Sequence, residues 1–263
     1  GVHRVQPLLT LPAFRFALSP LLPRLRVAGL PAAPQGRFEV REGLKKAILS
    51  AERYIYIEDQ YLWSLEVMRW INQALRRRPA LRVILATGES DQIGERLSQY
   101  RSLALLEGLL PGLPPEARRR LGVYRRADLV HTKTTLIDDR WTLIGSSNIA
   151  RRGLYTDLEH NIAVMDPAGR LLPAYRARLW ANRMGLPTER QPDLLDLDCA
   201  LGLWREHWGS DCLPPLPERL FERIDQPPPL RPRIDLEWYE MMEDPDSRRP
   251  WYFPLRRAYP RYH

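Results

Sequence analysis

The segment from Val130 to Ala163 constrains this chain more than any other part of it. It opens with His131-x-Lys133, and four residues separate that pair from Asp138. The first part is rich in β-branched residues and ends at an Asp-Asp turn signal, which predicts a strand over Val130–Ile137. Alternate residues of a strand share a face, so His131 and Lys133 should project side by side. Asp138 has the opposite parity and falls at the turn, where we expect a structural role.

A second strand is predicted to return directly after the turn. The run Trp141–Gly145 has the composition of such a strand and should deliver Ser146 and Asn148 as hydroxyl and amide donors. Glu159 then opens a third apolar run that ends at Met165. The segment therefore predicts a hairpin whose residues carry an imidazole, an ammonium, two neutral donors and a nearby carboxylate.

This set of side chains suits chemistry at phosphorus. A histidine that binds no metal can attack phosphorus and become a phosphohistidine. A lysine and two neutral donors can hold the equatorial oxygens of a phosphodiester as negative charge builds. A carboxylate such as Glu159 can hold the other imidazole nitrogen and fix its tautomer. Because His131 lacks a plausible ligand set nearby, we expect neither a metal nor another cofactor.

The choice of cation beside the histidine is an independent observation. The chain has 40 Lys plus Arg residues, and its lysines are Lys45, Lys46 and Lys133. A chain that almost always uses arginine therefore uses lysine beside His131. Lysine is a compact point charge on a flexible stem, whereas arginine is a planar fork. The composition favours a role for Lys133 as a point charge on phosphate.

These intervals resemble the HKD motif of the phospholipase D superfamily, here His131-x-Lys133-x4-Asp138-x6-Gly145-Ser146-x-Asn148. Asp157-Leu158-Glu159 is similar to the downstream acidic position of that family. Upstream, the run YIYIEDQ from Tyr54 resembles the IYIENQ-type segment of the true phospholipases D, with Asp59 where Asn is usual. Val5-Gln6, with Thr10 and Pro12, resembles the opening of the second lobe of two-lobed members. The resemblance covers roughly residues 1 to 207.

The resemblance implies a mechanism and a set of site residues. In the family, one histidine attacks phosphorus and releases an alcohol, and a second histidine from another HKD motif protonates the leaving group. Water or another alcohol then completes hydrolysis or transphosphatidylation. The implied catalytic residues are His131, Lys133, Asn148 and Glu159. The implied substrate-binding residues are Ser146, Glu58 and Gln60, and Gly145 and Asp138 belong to the structural part of the motif.

A single copy of the motif leaves the assembly open. The remaining histidines lack a lysine two residues on: His3, His160, His207 and His263. The chain could be the C-terminal half of a two-lobed phospholipase, where His131 would be the acid–base histidine. It could be a homodimer in which either His131 takes either role. It could also be an isolated half that is inactive without its partner lobe.

The charge suits an anionic partner without selecting one. The formal net charge is +8 and the isoelectric point is about 9.8, which fits phospholipid head groups, a membrane surface or nucleic acid. The YIYIEDQ run favours a lipid enzyme, including cardiolipin or phosphatidylserine synthesis. The alternatives are an HKD nuclease and a basic module that binds phosphate groups without turning them over.

The order of predicted elements indicates the fold class. Strands and helices alternate through residues 38–185, which predicts an α/β fold with a mixed β-sheet and helices on both faces. We expect an irregular opening segment with an early strand at 1–36, a catalytic domain at 37–210, and a Pro- and aromatic-rich arm at 211–263. No apolar run reaches the roughly 18 residues of a membrane span. Because the chain begins with Gly1, we expect its native N-terminus to be missing, so its localisation is not readable.

Three of the predicted helices have the following bounds. One is predicted over Asp91–Leu110 with an interruption near Gly108. Another should begin at Asp166-Pro167, with proline in its first turn, and continue to about Met184. A last helix is predicted over Asp193–Trp208.

Overall fold

A computed structural model of the chain describes residues 3–12, 33–88, 104–126, 130–204 and 222–223. The account below concerns these residues. The predicted helix from residue 91 therefore lies outside the described ranges up to residue 103, and the C-terminal arm lies outside them except for two residues.

Nine strands of the described residues form one mixed sheet in the order β2-β1-β8-β7-β6-β3-β4-β5-β9. The strands β3, β4 and β5 are parallel to one another, and every other pair is antiparallel. The bounds are β1 Arg4–Leu11, β2 Arg37–Phe38, β3 Tyr54–Asp59, β4 Arg82–Gly88, β5 Leu121–Arg126, β6 Lys133–Ile137, β7 Trp141–Gly145, β8 Glu159–Met165 and β9 Glu222–Arg223.

Helices pack on both faces of this sheet, which confirms the predicted fold class. The α-helices are α1 Glu39–Ser50, α2 Leu65–Arg77, α3 Pro115–Arg118, α4 Leu172–Arg183 and α5 Leu197–Trp204. π-Helical turns cover Ala104–Leu109 and Arg152–Thr156, and a 3₁₀ helix covers Thr188–Leu195.

The two faces of the sheet belong to two separate hydrophobic layers. Along β3, Ile55 and Ile57 face α1 and α2, whereas Tyr54 and Tyr56 face Trp180 and the other residues of α4 and α5. Every residue of β3 is buried, as expected for a strand that is covered on both sides. The C-terminal end of β3 is therefore packed against helices on both faces of the sheet, and the candidate functional residues lie at this end.

The predicted helix at Asp166-Pro167 begins instead at Leu172, so its predicted start was wrong. The Asp166 carboxylate accepts hydrogen bonds from the backbone N–H groups of Leu171 and Leu172, at 2.6 and 3.0 Å. These bonds hold the pKa of Asp166 down at about 2, against the effect of burial, which raises it. Gly169 takes a left-handed conformation with φ of 61°. The residues after Asp166 therefore form a capped turn before the helix begins.

The last predicted helix is divided in two. Residues 188–195 form a 3₁₀ helix with Pro192 inside it, and α5 begins only at Leu197. Asp196 separates them, because its carboxylate accepts the backbone N–H of Cys199 at 2.8 Å and caps the new helix. The segment Ala104–Leu109 is likewise a π-helical turn and not the end of a regular α-helix.

The hairpin between β6 and β7 is fixed by its turn residues. Asp138 and Asp139 both have positive φ, at 55° and 53°, a conformation that Asp tolerates better than most residues. The Asp138 carboxylate accepts three backbone N–H groups, from Glu52 and Arg53 at 2.8 Å and from Tyr54 at 2.7 Å. These contacts tie the turn to the start of β3 and favour the structural role expected of Asp138.

Replacing Asp138 by Ala should destabilise the fold, because three backbone donors lose a charged acceptor and the turn loses a residue suited to positive φ. We expect the free energy of unfolding to fall by about 2 to 3 kcal/mol in urea denaturation. Asp138→Asn, which keeps one acceptor and the turn preference, should lose less. Equal stability of Asp138→Ala and the wild type would show that the turn is held by other contacts.

Candidate active site

Four strand ends meet at one edge of the sheet and bring the motif together. The antiparallel pairing of β3 with β6 places Asp59 opposite Lys133. The pairing of β7 with β8 places Gly145 opposite Asn161. The C-terminal ends of β3 and β7 therefore lie beside the N-terminal ends of β6 and β8. The candidate site occupies this edge.

His131 lies just before this edge and is exposed to solvent. The strand predicted from Val130 begins only at Lys133, because β3 ends at Asp59 and offers no further ladder partner. The imidazole has no hydrogen-bond or ion-pair partner among the described residues. It lines a cavity of about 270 Å³ together with Gln60, Tyr61, Asn148, Ala150, Arg152, Gly153 and Asp157. Within the described part of the chain, neither ring nitrogen is therefore occupied, and the imidazole lies at this cavity.

Lys133 is half-buried beside the histidine. Its Nζ atom lies 3.3 Å from the carbonyl oxygen of His131 and 3.5 Å from Oε1 of Gln60. Burial lowers the pKa of Lys133, while the nearby carboxylates of Asp59 and Glu159 act to raise it. Its hydrogen bonds within the described residues are long, which leaves the ammonium able to bind an anion.

The two neutral donors of the motif have different surroundings. Asn148 lines the cavity with His131, and its buried Oδ1 atom has no hydrogen-bond partner in the part of the chain that the structure describes. Ser146 is exposed, and its hydroxyl donates a hydrogen bond to the carboxylate of Glu159. The structure therefore brings Asn148 to the histidine and Ser146 to Glu159.

Glu159 lies near Lys133 and accepts a hydrogen bond from Ser146, but it is not hydrogen-bonded to His131. It is half-buried, and burial raises its pKa, whereas the hydroxyl of Ser146 and the charge of Lys133 act to lower it. No hydrogen bond joins its carboxylate to His131 or His160 within the described residues. The orientation of a histidine by Glu159 is therefore not seen among the described residues, and it stays a prediction.

The two residues expected from the YIYIEDQ run separate to different places. Gln60 lines the cavity and contacts Lys133. Glu58 has no exposed surface, and it faces the opposite side of the sheet, where its partners are Arg183, Tyr56 and Thr132. Strand alternation predicted that Glu58 and Gln60 share a face of the sheet. They do not, because Gln60 lies beyond Asp59, the last residue of β3. The structure gives Glu58 no opening toward a substrate.

Asp59 is a site residue that sequence reasoning noticed only as a departure from the family pattern. Its side chain is 1% exposed, and one carboxylate oxygen accepts the backbone N–H of Tyr61 at 2.7 Å. The other oxygen accepts the backbone N–H of Ile149 at 3.1 Å. Burial raises the pKa of Asp59 well above its usual range, and the charge of Lys133 opposes that shift. Only the strand register, which pairs Asp59 with Lys133, could have revealed this position.

Gly145 and Asn161 explain the close packing of the loop that carries Asn148. A Cβ atom at Gly145 would lie 2.2 Å from Oδ1 of Asn161 and 2.5 Å from its Cα atom, so no larger residue fits. Asn161 is buried, and its Oδ1 atom accepts the backbone N–H of Ser147 at 3.4 Å. The hydroxyl of Ser147 donates in turn to the carbonyl of Gly153 at 2.8 Å.

Two further properties bear on the chemistry of the described residues. Within them, no group of three or more His, Cys, Asp or Glu residues is placed to hold a metal ion. Likewise, none of the helices in the described ranges combines the length and the apolar character needed to cross a membrane.

Replacing Asp59 by Asn should lower the pKa of Lys133 further. Burial already disfavours the ammonium, and the substitution removes a carboxylate that stabilises it. Since the chain has only three lysines, NMR of selectively labelled lysine side chains resolves the change. The signals of Lys45 and Lys46, on α1, should not respond to the substitution. A Lys133 titration that stays in place or moves to higher pH would contradict the proposed coupling.

Comparisons with known proteins identify the family. Residues 44–180, just over half of the chain, match a family model described as "Cardiolipin synthase, PLD-like domain". A search of curated proteins found no match.

Three similar solved structures have low sequence identity. The phospholipase D family member Nuc from Salmonella typhimurium is 15% identical over 69% of this chain and 93% of its own, with a TM-score of 0.43. NucT from Helicobacter pylori is 17% identical over 65% and 92%, at 0.40. Phosphatidylserine synthase from Haemophilus influenzae Rd KW20 is 17% identical over 65% of this chain, at 0.46, and this chain spans only 36% of its length.

The family model, and not these structural likenesses, carries the assignment. It covers the whole of the His131-x-Lys133 hairpin, the strand that ends at Asp59, and the loop of Asn148. The chain therefore belongs to the phospholipase D superfamily of phosphodiesterases, whose members act on phospholipids or on nucleic acids.

Proposed function

We propose that the protein cleaves a phosphodiester of a phospholipid head group, by hydrolysis or by transfer to another alcohol. The observation that carries this proposal is the grouping of His131, Lys133 and Asn148 at the sheet edge. His131 and Asn148 line one small cavity, and Lys133 lies against the carbonyl of His131. No short hydrogen bond within the described residues occupies the imidazole or the ammonium, and the Nδ2 group of Asn148 is the donor that a phosphoryl oxygen would use.

The proposed reaction follows from these groups. In one role, the imidazole of His131 attacks phosphorus, the P–N bond forms as the P–O bond to the alcohol breaks, and a second histidine protonates the departing oxygen. Water or another alcohol, deprotonated by that second histidine, then attacks the phosphohistidine and restores the ring. In the other role, His131 is the proton donor and acceptor. Lys133 and Asn148 stabilise the charge on the phosphoryl oxygens in either case.

A second histidine must come from another lobe or another subunit in this proposal. Within the described residues, His131 makes no hydrogen bond to a carboxylate and Glu159 makes none to a histidine. This arrangement is the one expected if the two groups are completed across an interface. Apolar residues on one face of the β1-β8-β7 end of the sheet are exposed. They include the paired residues Ile162 and Ile144, at 44% and 40%, and Val5, which pairs with Val164 and is 63% exposed. Such a patch supports contact with a partner.

The substrate class rests on the sequence more than on the geometry. The YIYIEDQ run and the description of the matching family model favour a lipid. The net charge of +8 suits an anionic membrane surface, and it suits nucleic acid equally well. A nuclease is therefore the second candidate. A module that binds phosphate groups without turnover is the third.

Replacing His131 by Ala should abolish turnover of phosphatidylcholine vesicles, with a loss of at least about 10³-fold, because the reacting imidazole is removed. Plasmid DNA, assayed in parallel, tests the nuclease alternative. His160→Ala is the matched control, since His160 is also exposed and lies on β8, two strands from β6 in the sheet. Turnover that survives in His131→Ala would remove this histidine from the mechanism, and binding without turnover in the wild type would favour the module.

Replacing Lys133 by Arg should lower kcat about tenfold or more, although the positive charge is kept. A planar guanidinium is larger than the half-buried ammonium and presents its donors in a fixed fork. The measurement is kcat on the substrate that the wild type turns over, with Lys46→Arg on α1 as the control. Near-normal rates in Lys133→Arg would contradict the compact-charge argument.

A further inference from the structure

The carboxylate of Glu58 is buried at the edge of the active site but takes no part in the proposed chemistry. It accepts hydrogen bonds from Nε of Arg183 at 2.9 Å to each oxygen and from the hydroxyl of Tyr56 at 2.5 Å. The Nη2 atom of Arg183 lies 2.8 Å from the same carboxylate. Its third partner residue is Thr132, which lies between His131 and Lys133 and donates its hydroxyl to Glu58.

His131 needs an anchor, because the sheet does not hold it. The β3–β6 ladder ends with the pair Asp59 and Lys133, so His131 and Thr132 lie beyond the last backbone pairing. The imidazole itself has no partner among the described residues. Among the described residues, the hydrogen bond from the Thr132 side chain to Glu58 ties this stretch to the sheet, in addition to the burial of Val130 and the contact of Lys133 Nζ with the carbonyl oxygen of His131.

The contacts themselves make this bond compatible with the active site. Thr132 reaches Glu58, which is paired with Thr134 across the ladder on the side of the sheet that α4 covers. Asp59 and Lys133 form the next pair, on the other face, and His131 lines the cavity with Gln60. A bond on the rear face can thus hold the segment without occupying the position of a substrate.

The anchor is itself rigid. Arg183 is the last residue of α4, and its guanidinium binds Glu58 through two nitrogen atoms, a geometry that fixes both partners. Glu58 has no exposed surface, so its carboxylate keeps all of its acceptor capacity for these groups. Helix α4 therefore reaches the catalytic segment through Arg183, Glu58 and Thr132 in turn.

We propose that Thr132, Glu58 and Arg183 are positioning residues that set the orientation of His131 and Lys133 toward the phosphate. The effect on kcat that this inference predicts rests on the proposed function. The effect on the rigidity of the His131 backbone does not. A salt bridge that served only the fold would need Glu58 and Arg183 and would be indifferent to the hydroxyl of Thr132. The threonine therefore provides the test.

The variant Thr132→Val removes the hydroxyl and keeps the shape of the side chain. We expect kcat on a phosphodiester substrate, such as bis(p-nitrophenyl) phosphate, to fall at least tenfold while KM stays within twofold. Thr132→Ser, which keeps the hydroxyl, should restore kcat to within threefold of the wild type. The matched control is Thr142→Val on β7, which removes a buried threonine hydroxyl that donates to the carbonyl of Thr135 at 2.9 Å. Its kcat should stay within twofold.

A second readout needs no activity. The backbone NMR order parameter of His131 should be near 0.85 in the wild type, Thr132→Ser and Thr142→Val, and should fall toward about 0.6 in Thr132→Val. If the wild type shows no turnover but the order parameter falls as expected, the proposed function fails and the anchor stands. An unchanged order parameter in Thr132→Val, kcat equal to that of Thr142→Val, or failure of Thr132→Ser to restore kcat would each overturn the anchor. Should Thr132→Val not fold, Thr132→Ala against Thr132→Ser gives the same comparison.

Discussion

The register of one strand pair, β3 with β6, determines the arrangement of the whole candidate site. It places Asp59 opposite Lys133 on one face of the sheet and Glu58 opposite Thr134 on the other. A shift by one residue would send Lys133 into the layer of α4 and α5. The register is fixed in two ways. Every residue of β3 is buried, so a shift would place polar side chains in the core, and the carboxylate of Asp138 accepts the backbone N–H of Tyr54, the first residue of β3.

The electrostatics of the site follow from this geometry. A half-buried ammonium lies near two carboxylates, Asp59 and Glu159, and burial disfavours the charged form of all three. Each carboxylate has its own hydrogen-bond donors: two backbone N–H groups for Asp59 and the hydroxyl of Ser146 for Glu159. The ammonium has only long contacts in the described structure. The site therefore combines satisfied anions with a cation that can still bind, which suits an anionic ligand.

The sequence predicted the parts of this site that depend on local pattern. The β-branched run, the Asp138-Asp139 turn and the return strand sufficed to predict the hairpin, although its first strand begins at Lys133 and not at Val130. The projection of His131 beside Lys133 stays a prediction. The sequence could not predict features that depend on where a strand ends. The strand β3 ends at Asp59, so Glu58 and Gln60 do not share a face, and Glu58 binds Arg183 from 125 residues away. The late start of α4 likewise depends on the hydrogen bonds that the Asp166 carboxylate accepts from the backbone N–H groups of Leu171 and Leu172. The periodicity of the sequence does not reveal these bonds.

His131 and Lys133 should bind one and the same phosphate group. Titration of the protein with inorganic phosphate, observed through the side-chain NMR signals of both residues, is the test. Both signals should move with a single dissociation constant, while those of Lys45, Lys46 and His160 stay in place. Signals of His131 and Lys133 that respond with different dissociation constants, or do not respond at all, would contradict it.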